Sequence, residues 1–478
     1  MRRRDFIRSV SVGAAACVLP SLGSVPLCLA RSVAQKRPSS RPNVVFILAD
    51  DLGWSQIGCY GSDFYQTPHI DRLAAQGMRF TDAYAACPVC SPTRASIMTG
   101  KYPARLHLTD FIAGGKFPYE RLRQPDWQKF LPLEEVTLGE LFRSCGYATA
   151  SFGKWHLSIA KKPPESLPYN PDKQGFDQYM VTYKPSSKAD PETDAHNVEA
   201  ITQKSLAFLA ENRDRPFFLY VTHNSIHNPL KGKAHLVRKY KSRPGAEKPE
   251  NNPVIGAMLE ELDAGVGRIL RKLEELRLAD NTLVVFFSDN GGLAGEAAQT
   301  PLRSGKANLY EGGIRVPLIV RWPGVVEPGT TCSEPVISTD FFPTFRDISG
   351  VERGDPKPLD GVSLVPLLRQ QATLNRPALY WHYPHYHGSS IGPGGAVRAG
   401  DYKLIEWYDE SIHGADRPLE LYNLKEDIGE QNNLAAAMPA RAEQMRRLLG
   451  LWRHDVGAQT MSPNPNYDPR KAKRSQGG

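Results

Sequence analysis

The chain has 478 residues, 41% of them hydrophobic and 23% charged, a composition that excludes a fibrous or disordered protein and supplies a large core, expected as one big domain with a smaller one. Its formal charge of +8 suits a polyanionic substrate without singling one out. Seven cysteines in so long a chain exclude a disulfide framework.

Residues 1–30 place a basic start before an Ala/Leu/Val-rich stretch and a small-residue exit near Ala30, the layout of an export signal. Arg3-Arg4-Asp5-Phe6-Ile7-Arg8 resembles the bacterial twin-arginine signal, so the twin-arginine export machinery is an expected partner and the periplasm or medium the expected destination. Removing residues 1–30 takes four arginines and one aspartate, which leaves a charge of +5. It also leaves five cysteines, Cys59, Cys87, Cys90, Cys145 and Cys332, an odd number that asks whether one is special. Residues 31–41 read as a linker, and no later stretch is long and apolar enough to span a membrane.

Near-continuous apolar runs at 43–50, 147–154, 216–223, 282–290 and 317–322 predict strands covered on both faces. Between them, Pro68 opens a helix that stops at Gly77, with Ile70, Leu73 and Ala74 on one face. Residues 254–278 space Ile255, Leu259, Leu262, Val266, Ile269 and Leu273 as one stripe of a long amphipathic helix. Residues 160–190 and 229–253, rich in Pro, Lys and Ser, read as surface loops. The alternation predicts an α/β class: a large, mixed, mostly parallel sheet sandwiched by helices over 42–370. Past 370 the pattern turns to short antiparallel strands and a helix near 437–455, a smaller α+β subdomain over 371–460. Residues 461–478, ending in DPRKAKRSQGG, read as a disordered tail, and no basic block with interleaved aromatics suggests nucleic acid.

Several strand exits carry chemistry. FILADDLGW ends a strand with Asp50 and Asp51, and FFSDNGG ends another with Asp289 and Asn290. A turn or helix-cap pair would look like Asp50-Asp51 in isolation. Ligands of α/β sheets gather at the carboxyl ends of the strands, however, and four oxygen donors there favour a hard cation, Ca²⁺ or Mg²⁺. CPVCSPTRASIMTG, residues 87–100, looks like a helix start with Arg94 as an oxyanion fork. Lys154 and His156 follow a strand, His223 and His227 follow another, and Lys306 sits in a Gly-rich loop. Singly each reads as structural or solvated; together they supply an acid cluster for metal, cations for an anion and imidazoles for proton transfer.

Cys90-Ser91-Pro92-Thr93-Arg94 matches the Cys-x-Pro-x-Arg signature of type I sulfatases, and GYATASFGK resembles their second signature, with Phe152 where a smaller residue is usual. PNVVFILADDLGW, TPHIDRLAAQGMRF, SDNGG, GKANLYEGGIRVP and LYNLKEDIGEQNNL are also similar to that family, a branch of the alkaline phosphatase superfamily that includes bacterial carbohydrate sulfatases and arylsulfatases. In the last motif Ile428 replaces the usual proline. The resemblance runs from about residue 42 to 455. It implies that a formylglycine-generating maturation enzyme oxidises Cys90 to Cα-formylglycine, whose hydrate attacks sulfur and then ejects sulfate by C–O cleavage. By motif position it implies Ca²⁺ (or Mg²⁺) on Asp50, Asp51, Asp289, Asn290 and residue 90. It gives Arg94 and His156 to the formylglycine hydroxyls, and Lys154 and Lys306 to the sulfate oxygens. His227, in the family's His-x-Pro, would protonate the leaving alcohol, with His223 as its rival.

For the substrate, YWHYPHYHGSS (380–390) clusters His382, His385 and His387 with aromatics. These, with His107, are the candidate leaving-group pocket, although a polar aromatic loop packed on the main domain fits as well. A sulfated glycan is expected, leaning toward galactose or N-acetylgalactosamine 4-sulfate. The alternatives are an arylsulfatase of another substrate class or a phosphonate or phosphodiester hydrolase on the same scaffold. A thiol-redox pair at Cys87 and Cys90 would need a thioredoxin-like context, which is absent.

Overall fold

A computed structural model of the chain describes residues 41–159, 164, 166–350, 358–409 and 419–472. Its main sheet has eight strands, in the order Thr330–Cys332, Met78–Phe80, Leu318–Arg321, Thr282–Ser288, Asn43–Ala49, Phe217–Thr222, Ala148–Gly153 and Gln178–Val181. Neighbours pair in parallel except Leu318–Arg321, which is antiparallel to both of its neighbours. The sheet is therefore mixed and mostly parallel.

The central strand shows why continuous apolar runs suit this layer. Successive side chains point to opposite faces. Val44, Phe46 and Leu48 enter one core with Ile97, Phe142 and Phe341; Val45, Ile47 and Ala49 enter the other with Leu73, Leu259 and Val266. The helices are as the spacing predicts, Pro68–Ala75 and Pro253–Glu275, the second capped by Asn252 Oδ1, which accepts from the Val254 and Ile255 amides. The two expected loops hold more structure than their composition implies: an edge strand Gln178–Val181 and a helix Ala234–Lys241 that buries only Tyr240.

Leu379–Tyr383, Gly394–Ala399, Tyr402–Trp407 and Leu419–Asn423 form a small antiparallel sheet, followed by the helix Pro439–Asp455. Trp381 Nε1 donates to the Ala85 carbonyl at 2.8 Å, and the fully buried Lys403 lies 2.9 Å from both Glu311 and Glu430.

The disordered tail expected from 461 needs correcting up to 472. Ser462–Pro463 pair antiparallel with Leu122–Arg123, and Asn464 Nδ2 donates to the carbonyls of Pro118 and Glu120. Backbone pairing orders a segment whose polar, proline-containing composition hides it. Residues 473–478, the export signal read at 1–30 and positions 31–40 of the linker lie outside the described residues. Among the described residues no helix is long and apolar enough to cross a membrane.

Candidate active site

Register brings the strand exits to one level. Ala49 pairs with Ser288, Leu48 with Thr222, and Thr222 with Gly153. Asp50, Asp289, His223 and Lys154 are the next residues of these four strands, so they leave the sheet side by side. Two glycines permit that crowding. Gly153 has φ 122°, and a Cβ there would lie 1.7 Å from the Thr222 carbonyl oxygen; one at Gly291 would lie 1.8 Å from that of Gly312. Asp51 and His156 adopt left-handed backbone (φ 60° and 57°) without being glycine, a strain found where surrounding structure holds a functional residue in place.

Each acid has a cation. Lys154 Nζ lies 2.9 and 2.7 Å from the Asp50 oxygens, Lys306 Nζ 2.6 and 2.8 Å from those of Asp51, and Arg94 Nε donates to Asp289 Oδ2 at 2.9 Å. All three carboxylates are wholly buried. Burial, with Asp289 and Asp51 nearby, pushes Asp50 up to about 7 despite Lys154. Burial also acts upward on Asp51, but Lys306 and His227 hold its carboxyl well below the usual range.

Asn290 Nδ2 donates to Asp51 Oδ1 at 2.8 Å, while its own Oδ1 is buried without a hydrogen-bond partner among the described residues. An orphaned carbonyl oxygen beside three buried carboxylates fits a hard divalent cation. His227 Nε2 lies 3.9 Å from Asp51 Oδ2, and ligand atoms of Asp50, Asp51 and His227 all fall within 4.8 Å of one another.

Cys90 begins the helix Cys90–Thr99, and its Sγ lies 3.2 Å from His156 Nδ1. His156 Nε2 meets the Ile112 carbonyl at 2.5 Å. A carbonyl only accepts, so Nε2 carries the proton and Nδ1 faces Cys90 as an acceptor. Burial and the Lys154 charge keep the imidazole well below its ordinary range, and burial raises the Cys90 thiol. Cys87 is buried with Sγ 3.9 Å from the Thr109 carbonyl, and all five described cysteines are free.

A 560 Å³ cavity opens over this floor of Asp51, Cys90, Lys154, His156, His227 and Lys306. Its walls include Phe111, Ile112, Tyr183, Lys184, His387 and Ser389. Of the four histidines expected to contact the leaving group, only His387 lines it. His107 Nε2 bonds the Gly457 carbonyl, His382 lies between the Tyr408 hydroxyl and the Gln459 carbonyl, and His385 pairs with Thr109 Oγ1. The reason is the strand Leu379–Tyr383: it and the turn behind it bury His382 and His385 in the packing, and the chain reaches the cavity only at 387. His223 is fully buried away from the cavity lining with both ring nitrogens unpartnered among the described residues, and burial pulls it to about 4. Tyr183, Lys184 and the Ile112 carbonyl were not foreseen, because none lies in a motif.

Cations, carboxylates, imidazoles and Cys90 thus meet at the carboxyl edge of the sheet, where α/β folds place their ligands. The chain belongs to the sulfatase family, whose model matches residues 42–351, and residues 304–450 match a model described as N-sulphoglucosamine sulphohydrolase, C-terminal. It is thus a sulfuric ester hydrolase, a type I sulfatase of the alkaline phosphatase superfamily. It is 33% identical to arylsulfatase A of Homo sapiens, over 92% of this chain and 93% of that protein. To a sulfatase of Formosa agariphila it is 30% identical, over 89% of this chain and 91% of the other. The solved structure of Ps i-CgsB in complex with k-i-k-neocarrahexaose superposes with a TM-score of 0.73 at 27% identity, covering 90% of this chain and 95% of that one.

Proposed function

We propose that the protein removes sulfate from sulfated carbohydrates through a Cα-formylglycine made from Cys90. The observation that carries this reading is the contact of Cys90 Sγ with His156 Nδ1 on a cavity floor shared with Lys154, His227 and Lys306. As a hydrate, the modified side chain supplies one hydroxyl to attack sulfur and a second whose deprotonation releases sulfate. Cys90 is 2% exposed, so the maturation enzyme acts before the chain folds around it.

The other residues take their parts from position. His156 Nδ1 accepts the proton from residue 90, and Arg94 orients Asp289 beside it. Lys154 and Lys306 line the cavity and donate to sulfate oxygens, stabilising charge as it develops. His227, whose Nδ1 donates to the Asn228 carbonyl, keeps Nε2 for the leaving alcohol. Asp50, Asp51, Asp289 and Asn290, with residue 90, hold Ca²⁺, with Mg²⁺ the alternative; the cation, when bound, draws electron density from the ester oxygens.

The cavity walls of Phe111, Tyr183, His387 and Ser389 suit a sugar ring with hydroxyls, and galactose or N-acetylgalactosamine 4-sulfate is the unit we assign. The likeness to Ps i-CgsB in complex with k-i-k-neocarrahexaose supports a glycan. Residues 42–370 form the catalytic region and 371–460 the smaller one, and the signal at 1–30 directs the protein to the periplasm or medium.

The test is sulfate release from defined sulfated mono- and oligosaccharides, alongside phosphate and phosphonate analogues, with mass spectrometry of the residue-90 peptide. Release from the 4-sulfated sugars and an aldehyde at residue 90 are expected. An active preparation with only the thiol would sink the formylglycine reading, and turnover of phosphonates alone would sink the sulfated-sugar one.

A further inference from the structure

A second groove of 470 Å³ lies against the catalytic cavity, and Ala113 lines both. The segment 111–115 divides them. Phe111 and Ile112 face the reacting centre, and Gly114 and Gly115 face the groove. Three cations line the groove, Lys116, Arg123 and Lys129, and no acid is among its described lining residues, although Asp126 and Asp110 lie near enough to act on Lys129. The chain as a whole carries 59 basic and 51 acidic residues, so an ordinary patch of surface would mix the signs.

The partners of these cations point the same way. Among the described residues no ion pair is seen at Lys116 or Arg123, while Lys129 Nζ rests over the Trp127 ring, 3.4 Å from its centroid, with the Asp126 and Asp110 carboxylates acting on its charge. Trp127 in turn packs edge-on against His385, which fixes its place. The opposite wall is the ordered tail, where Asn464 is tied to the Pro118 and Glu120 carbonyls. The pairing of Ser462–Pro463 with Leu122–Arg123 also fixes the backbone that presents Arg123. The groove is therefore built on rigid supports, with Lys116 and Arg123 presented at its surface.

We infer that this groove binds a second anionic unit, sulfated or carboxylated, of the same glycan chain whose sulfate ester reacts in the cavity. This rests on the carbohydrate reading and sharpens it. The substrate is an oligomer, and the enzyme grips it at two places at once. The linked sites raise the effective concentration of the ester at the reacting centre without touching the chemistry. The groove acts through KM for oligomers and leaves small esters alone.

The test compares the wild type with Lys116→Glu/Arg123→Glu, two exposed positions outside the reacting centre. Hydrolysis of 4-nitrophenyl sulfate is followed in the presence of dextran sulfate, uncharged dextran or inorganic sulfate. The expected result is that the variant needs about tenfold more dextran sulfate for half-inhibition. Its kcat/KM for nitrophenyl sulfate and its inhibition by inorganic sulfate stay unchanged, and uncharged dextran inhibits neither enzyme. Equal inhibition of both enzymes by dextran sulfate overturns the groove. Failure of the carbohydrate reading shows separately, as absence of turnover on the sulfated-sugar panel, which this competition does not use. Lys116→Ala/Arg123→Ala serves as the milder pair, expected to shift the same way by a smaller factor.

Discussion

His156 Nε2 donates to the Ile112 carbonyl at 2.5 Å, and this one bond sets which ring nitrogen faces Cys90. Ile112 is itself held, its N–H donating to Ser91 Oγ at 3.1 Å. The tautomer is fixed from the segment that also divides cavity from groove. His156→Ala should lower kcat about 10²- to 10⁴-fold, the usual worth of a placed acid or base, with KM for a small aryl sulfate little changed. A loss confined to KM would show that the imidazole binds and moves no proton.

The histidine cluster separates by position. His387→Ala should raise KM for the sugar ester severalfold, because it removes a cavity wall. His385→Ala should instead lower the melting temperature, since it leaves Thr109 Oγ1 without its partner and a gap behind Trp127, about 1–3 kcal/mol. His107→Ala, which loses one exposed bond to the Gly457 carbonyl, should move neither. Kinetics and thermal melts on the three variants distinguish these outcomes, and a KM effect from His107 would contradict the geometry.

Metal dependence should appear in stability as well as in rate. A ligand that binds only the folded state stabilises it by about 2.7 kcal/mol at a hundred times its Kd. Chelation should therefore lower the melting temperature, and Ca²⁺ should restore it. Asn290→Ala removes the orphaned buried oxygen and should weaken that restoration, so a variant that responds to Ca²⁺ as the wild type does would remove Asn290 from the donor set.

Asp110 gives a pH signature. Burial raises its carboxyl to about 7 from 3.8, against hydrogen bonds from the Phe111 amide and the Tyr383 hydroxyl. The unfolded chain loses this proton near pH 4 and the folded protein only near 7. Between those values the folded state holds the extra proton, so this group's contribution to stability falls as pH rises and levels off above 7. Asp110→Asn cannot titrate, so its melting temperature relative to wild type should improve steadily from pH 4.5 to 7.5. A gap independent of pH would show that Asp110 ionises freely in the fold.

Much of the site was legible because its residues sit at the ends of apolar runs. Asp50, Asp51, Asp289 and Asn290 interrupt hydrophobic strands, where an acid has no packing role, and the parallel sheet then brings the exits together. His382 and His385 were misplaced for the converse reason. Their composition suits a binding loop, but strand alternation and the turn behind it bury them, and only tertiary packing reveals that. Tyr183 and Lys184 come from a stretch without periodicity, and Ile112 contributes a carbonyl, which every residue has. The ordered tail escaped notice because its support is backbone pairing to Leu122–Arg123, which leaves no trace in residue type.

The strand order also sets a clock. Asn43–Ala49 is the first strand of the sheet to be synthesised, yet its two neighbours begin at Phe217 and Thr282. At about 5–20 residues per second, roughly 12–48 s pass between the central strand and its second partner. Throughout that interval the central strand lacks its Thr282–Ser288 neighbour, and with it Asp289 and Asn290 at the floor beside residue 90. For the modification proposed at Cys90, ribosome speed is then a variable as real as enzyme concentration. Slower elongation between codons 90 and 282 should raise the fraction of chains that carry it.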